Sequence, residues 1–74
     1  MTASRPLRLY LFETNTLLFW AEEVAGEAGI PVEVVPAPEG AEDVCGLALR
    51  TWADRGEKLE SLMEKDGISF HVHS

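Results

Sequence analysis

Cys45 is the one thiol in this chain, and it stands in the stretch PAPEGAEDVCGLALR, between an acidic run and an apolar one. A thiolate is a nucleophile toward sulfur and selenium, so a lone cysteine points to a carrier or a catalyst. A free cysteine also serves as a small buried hydrophobe. An ordinary thiol, with a pKa of about 8.5, is only a few per cent thiolate at pH 7. Glu42 and Asp43 immediately before Cys45 push it further toward the neutral thiol. No cation adjoins it in sequence, so Arg50, Arg55 or a histidine would have to be brought up by the fold. Spacing and charge leave both readings open.

His71 and His73 are the second chemical pair. On a strand, residues two apart point the same way, so both rings could reach one metal. Two histidines are too few for a closed zinc site, and Glu33 or Cys45 would have to complete it. Two polar residues on a solvated strand are the simpler reading. Neither Glu22-Glu23 nor Glu42-Asp43 has a spacing that separates an acid from a base. There is no P-loop, GxGxxG, HExxH, CxxC or Ser-His-Asp order. An autonomous enzyme is not expected at this size, and no cofactor is implied.

These residues must be held by a small set of elements. Leu7, Leu9 and Leu11 alternate with Arg8, Tyr10 and Phe12, the period of a half-buried strand. Glu13-Thr14-Asn15 offers capping oxygens to a helix with Leu17, Trp20, Ala21, Val24, Ala25 and Ala28 on one side. Gly29 suits its C-terminus. Val32, Val34 and Val35 form a strand between Pro31 and Pro36, which places it at an edge. Pro36 to Asp43 reads as an acidic loop.

Leu47, Leu49 and Thr51 then alternate as a third strand. Asp54 could cap a second helix that buries Leu59, Leu62 and Met63 and ends at Gly67. Ile68, Phe70 and Val72 alternate in a fourth strand. Gly46 next to Cys45 permits close approach of another chain or an unusual dihedral.

The order β-α-β-β-α-β predicts an α+β, ferredoxin-like two-layer sandwich with a four-stranded antiparallel sheet, as one domain over residues 1–74. Two helices should cover one sheet face with the Leu, Val and Ile side chains. The open face should carry Arg8, Tyr10, Glu33, Ala48, Arg50, His71 and His73. Trp20 is expected in the core, with Phe19 and Trp52 as a contact surface.

A net charge of −7 from 13 acidic and six basic residues argues against nucleic acid, which needs clustered Lys and Arg. The same balance argues against anionic membranes. The longest apolar run is far short of the roughly 20 residues of a span. The start MTASRPLRLYLF has no signal-peptide core, and an unpaired cysteine suits a reducing compartment. The expected location is cytoplasmic. Below about 70–80 residues a core rarely supplies more than about 3–5 kcal/mol, so a homodimer or a partner is a natural reinforcement.

Three runs together resemble a known family: Ala28-Gly29-Ile30-Pro31-Val32, then Val35-Pro36-Ala37-Pro38, then Cys45-Gly46-Leu47-Ala48-Leu49-Arg50. With Gly67-Ile68 they look like the pattern of the DUF3343 family, also called putative Se/S carrier protein-like. The resemblance runs from about Tyr10 to Val72, and its most specific part is the hexapeptide that starts at Cys45. It implies a carrier that holds sulfur or selenium on Cys45 as a persulfide or perselenide. Pro36, Pro38 and Gly46 would shape the loop, and Arg50 would be a supporting cation. Donor and acceptor proteins are the implied partners. The sequence departs from the family's pattern at Glu39, where a basic residue is expected, and at Glu42-Asp43-Val44, where Ser-rich residues are expected. This acidic approach suits a partner with a basic docking surface. The alternative function is a non-catalytic interaction or ligand-binding module with a structural cysteine, docking or dimerising through its open sheet face or an edge strand.

Overall fold

A computed structural model describes residues 6–39 and 46–73. The elements are β1 (Leu7–Leu11), α1 (Asn15–Glu27), β2 (Val32–Pro36), β3 (Leu47–Trp52), α2 (Ala53–Asp66) and β4 (His71–His73). The sheet is antiparallel throughout in the order β2-β3-β1-β4, so β1 and β3 are central. This is the expected α+β sandwich, with the fourth strand shorter than the alternation from Ile68 suggested.

The helix boundaries follow local chemistry. Thr14 caps α1, its side-chain oxygen accepting from the Leu17 N–H at 3.2 Å. Both helices end with a glycine at positive φ, Gly29 at 74° and Gly67 at 79°, a conformation that costs other residues a clash with Cβ. The residue after each glycine is an isoleucine whose N–H returns to the last turn. Ile30 donates to the Ala25 carbonyl at 2.9 Å and Ile68 to the Met63 carbonyl at 2.8 Å. Each isoleucine is buried beside the core, so one device closes both halves of the pseudo-twofold. Asp54 does not cap α2. The N-cap is Trp52, whose side chain makes no capping hydrogen bond, and Asp54 stands in the first turn, where its charge complements the helix dipole.

The face assignment of β1 differs from the sequence expectation. Tyr10 is fully buried and joins Phe12, Leu18, Leu49, Leu59 and Met63 in the core under the helices. Tyr10 lies opposite Leu49 and Val72, and Arg8 opposite Thr51, so these residues share the helix-covered face. Leu7, Leu9 and Leu11 therefore line the open face, opposite Trp52, Arg50 and Ala48. Arg8 and Tyr10 are removed from the expected open face, while Glu33, Arg50, His71 and His73 remain on it; Ala48, on the same side of the sheet, is fully buried beside Leu11. The reason is that the aromatic side chains fill the space under two helices better than leucine does, and the polar tips of Arg8 and Tyr10 find a partner on α2.

Trp20 is also corrected, being 39% exposed. Leu18, Ala21 and Ala25 take the inner stripe of α1. Two residues beyond Leu18, a helix has turned about 200°, which carries Trp20 round to the flank. Phe19 is half exposed, as its polar neighbours implied.

Candidate functional site

The β2–β3 hairpin is the element that carries the cysteine's place in the chain. Its stem is in continuous register from Val32 opposite Thr51 to Pro36 opposite Leu47. One bond beyond, the Ala37 N–H donates to the Gly46 carbonyl at 3.0 Å. Gly46 has φ of 90°, so this position needs a glycine, as its place in the motif implied. Pro36 ends an edge strand, where its missing N–H costs no ladder bond inside the sheet. Pro38 is half-buried and Glu39 exposed in a turn. Glu42, Asp43 and Cys45 lie outside the described residues.

Arg50 stands in the middle of β3, on the open face, and its guanidinium donates to the Glu33 carboxylate directly across on β2. Four residues of strand separate it from Gly46, about 13 Å. Arg50 is thus engaged with the hairpin's other strand and stands well back from the stem. His71 and His73 lie on edge strand β4, opposite Leu11 and Leu9, so they share the open face. Among the described residues no group of three or more His, Cys, Asp or Glu is placed to hold a metal. No helix there is long and apolar enough to cross a membrane.

Two hollows indent the open face. One, of about 310 Å³, lies at the end of the sheet, lined by Leu7, Glu33, Arg50 and Trp52 of the open face and by Val32 and Thr51 of the helix-covered one. The second, of about 450 Å³, is lined by Leu7, Leu9, Val35, Pro36, Arg50 and His73. They share Leu7 and Arg50, so together they make one apolar surface with a single ion pair in it.

Sequence reasoning missed a polar junction on the other face. The Tyr10 hydroxyl and the Arg8 guanidinium each donate to the same Glu60 carboxylate oxygen, both at 2.7 Å. Burial, and then the bond to the Glu60 carboxylate, push the Tyr10 hydroxyl well above its ordinary range. It stays protonated and remains a donor. Gly56, one turn before Glu60, is the opening that admits these side chains, since a Cβ there would collide with the Tyr10 hydroxyl and Arg8. The available signal was a glycine inside a helix, a choice that costs about 1 kcal/mol relative to Ala unless packing requires it.

A family model described as "Putative Se/S carrier protein-like" matches residues 8–72. The chain belongs to that family. The match begins in β1 and ends in β4, so it takes in the whole sandwich, together with the hairpin that contains Cys45. Comparison with curated proteins and with solved structures returns no significant match.

Proposed function

We propose that this chain carries sulfur or selenium on Cys45 and delivers it to a partner enzyme. The observation that carries the reading is the family match over residues 8–72, a span that includes Cys45 and Gly46. The hairpin supports it. A bonded stem at Ala37–Gly46 and a glycine at positive φ fix the chain immediately after the cysteine, which is what a thiol presented to successive partners requires.

The chemistry is a transfer between persulfides. The Cys45 thiolate attacks the outer sulfur of a donor persulfide, a new S–S bond forms, and the donor's S–S bond breaks to release its thiolate. Delivery repeats the step with an acceptor thiolate attacking the outer sulfur on Cys45. No external oxidant or reductant enters either exchange. In this reading the partners supply the activation of the thiol. A basic surface on donor or acceptor would meet Glu39 and its acidic neighbours in sequence and stabilise the thiolate on contact. In this reading Arg50 stands at a distance from the thiol, paired with Glu33 of β2.

Incubation with a cysteine desulfurase and cysteine, followed by intact-mass measurement, tests the proposal. An adduct of about 32 Da, one sulfur atom, is expected on the chain and not on Cys45→Ala. Failure to load from several persulfide donors under conditions that keep the thiol reduced sinks it.

A further inference from the structure

We infer that the open sheet face is the surface on which two copies of this chain associate, face to face. The first ground is how charge is distributed. The two helices hold eight of the 13 acidic residues and only three of the six basic ones. Among the described residues the open face holds one carboxylate, Glu33, already neutralised by Arg50 across the strand pair. For a chain of net charge −7, two copies meet with least repulsion through that face, leaving both acidic helix layers turned outward.

The second ground is composition. Leu7 is 52% exposed at the Trp52 end of the face, Leu9 and Val35 are half-buried, and the two hollows beside them are lined mainly by apolar residues. Two identical patches of this kind are self-complementary under a twofold axis. An axis lying in the interface and crossing the Arg50–Glu33 vector sets each Arg50 over Glu33 of the second copy, so neither charge is left unpaired.

The third ground is area. β1, β2 and β3, about 4.8 Å apart and about 17 Å long, with the shorter β4 beside them, present roughly 300 Å² of flat face per copy. The end of that face at Leu11 and Ala48 is already buried, so the two copies together bury less than about 1,000 Å², under the range of stable interfaces. The association is therefore weak and concentration-dependent. It is independent of Cys45.

Sedimentation velocity over a concentration series from about 1 μM to about 1 mM, in reducing buffer, tests the inference on the wild-type chain, Leu7→Lys, Leu9→Lys and Phe19→Ser. Wild type and Phe19→Ser should shift from monomer to dimer. Leu7→Lys, at an exposed position, should weaken the dimer at least about tenfold, roughly 1.4 kcal/mol, with an unchanged circular dichroism spectrum. Leu9→Lys should act in the same direction. A wild type that stays monomeric across the series overturns the inference, as does a dimer lost in Phe19→Ser and kept in Leu7→Lys. Repeating the series with Cys45→Ala separates this inference from the carrier reading, because the dimer should persist where sulfur loading is lost.

Discussion

One sheet holds two arginine–glutamate pairs, one on each face, and they do different work. On the helix-covered face Arg8 and Glu60 meet over the Tyr10 hydroxyl, with side chains 34% and 25% exposed. On the open face Arg50 and Glu33 meet across β3 and β2, with Glu33 61% exposed. The Arg8–Glu60 pair shares its acceptor oxygen with a fully buried tyrosine, so loss of the carboxylate strands a hydroxyl as well as a guanidinium. In the Arg50–Glu33 pair each member can turn to water when the other is lost. A buried polar group without a partner costs its full desolvation, whereas an exposed ion pair in high dielectric is worth little. The same two residue types thus lock α2 to β1 on one side and leave an accommodating, neutral surface on the other.

The sharpest way to break this contrast is to remove Glu60. Glu60→Ala should destabilise the chain by about 2–3 kcal/mol, since it leaves the Tyr10 hydroxyl and Arg8 without their shared acceptor. For a domain of this size that corresponds to a fall in Tm of about 8–24 °C. Thermal unfolding followed by circular dichroism reads it directly. A loss below about 0.5 kcal/mol would show that the junction contributes no more than an ordinary surface position.

The second test turns on Gly56. Alanine is the better helix former by about 1 kcal/mol, yet its methyl would meet the Tyr10 hydroxyl and sit 2.9 Å from Arg8 Nη1. Overpacking of this kind costs about 1–3 kcal/mol, so Gly56→Ala should destabilise by about 1 kcal/mol net. In a Tyr10→Phe background the hydroxyl is gone, and the same substitution should become neutral or stabilising. A double-mutant cycle by urea unfolding gives the coupling. Additive effects would mean that Gly56 is not the opening for Tyr10.

The element order, the edge position of β2, both C-terminal glycines and the unusual dihedral at Gly46 were legible from the sequence. Each depends on a local rule: period-two alternation, Pro at an edge, Gly where φ is positive. The facing of β1 was not legible. In LRLYLF both alternate sets can be buried, and leucine is the usual inward residue. Besides the space that Tyr10 fills, it is Glu60 across the layer that lets Arg8 and Tyr10 be the inner set, and that pairing spans about fifty residues of chain. Trp20 was misread for a related reason. Its volume suggested the core, but Leu18 and Ala21 already define the inner stripe and leave tryptophan the flank. The candidate site was legible only as a motif, because no local rule couples a thiol to a cation five residues along a strand. Arg50 is the instance: its sequence distance from Cys45 is short, yet its partner is Glu33 across the sheet.

The smallest expected effect belongs to the open face, and it decides whether the contrast holds. Glu33→Gln removes the charge opposite Arg50 while keeping an acceptor on the same strand. Glu33 is solvent-exposed, so the pair gains little Coulomb energy and is screened by salt. The expected loss in the monomer is within about 0.5 kcal/mol. Urea unfolding at low protein concentration measures it without a contribution from association, and the midpoint should shift little more between low and high salt than that of the wild type. A loss comparable to that of Glu60→Ala would mean that Glu33 is held as tightly as the junction under α2. The hairpin stem would then depend on its ion pair, and removing Glu33 would also loosen the Ala37–Gly46 closure next to Cys45.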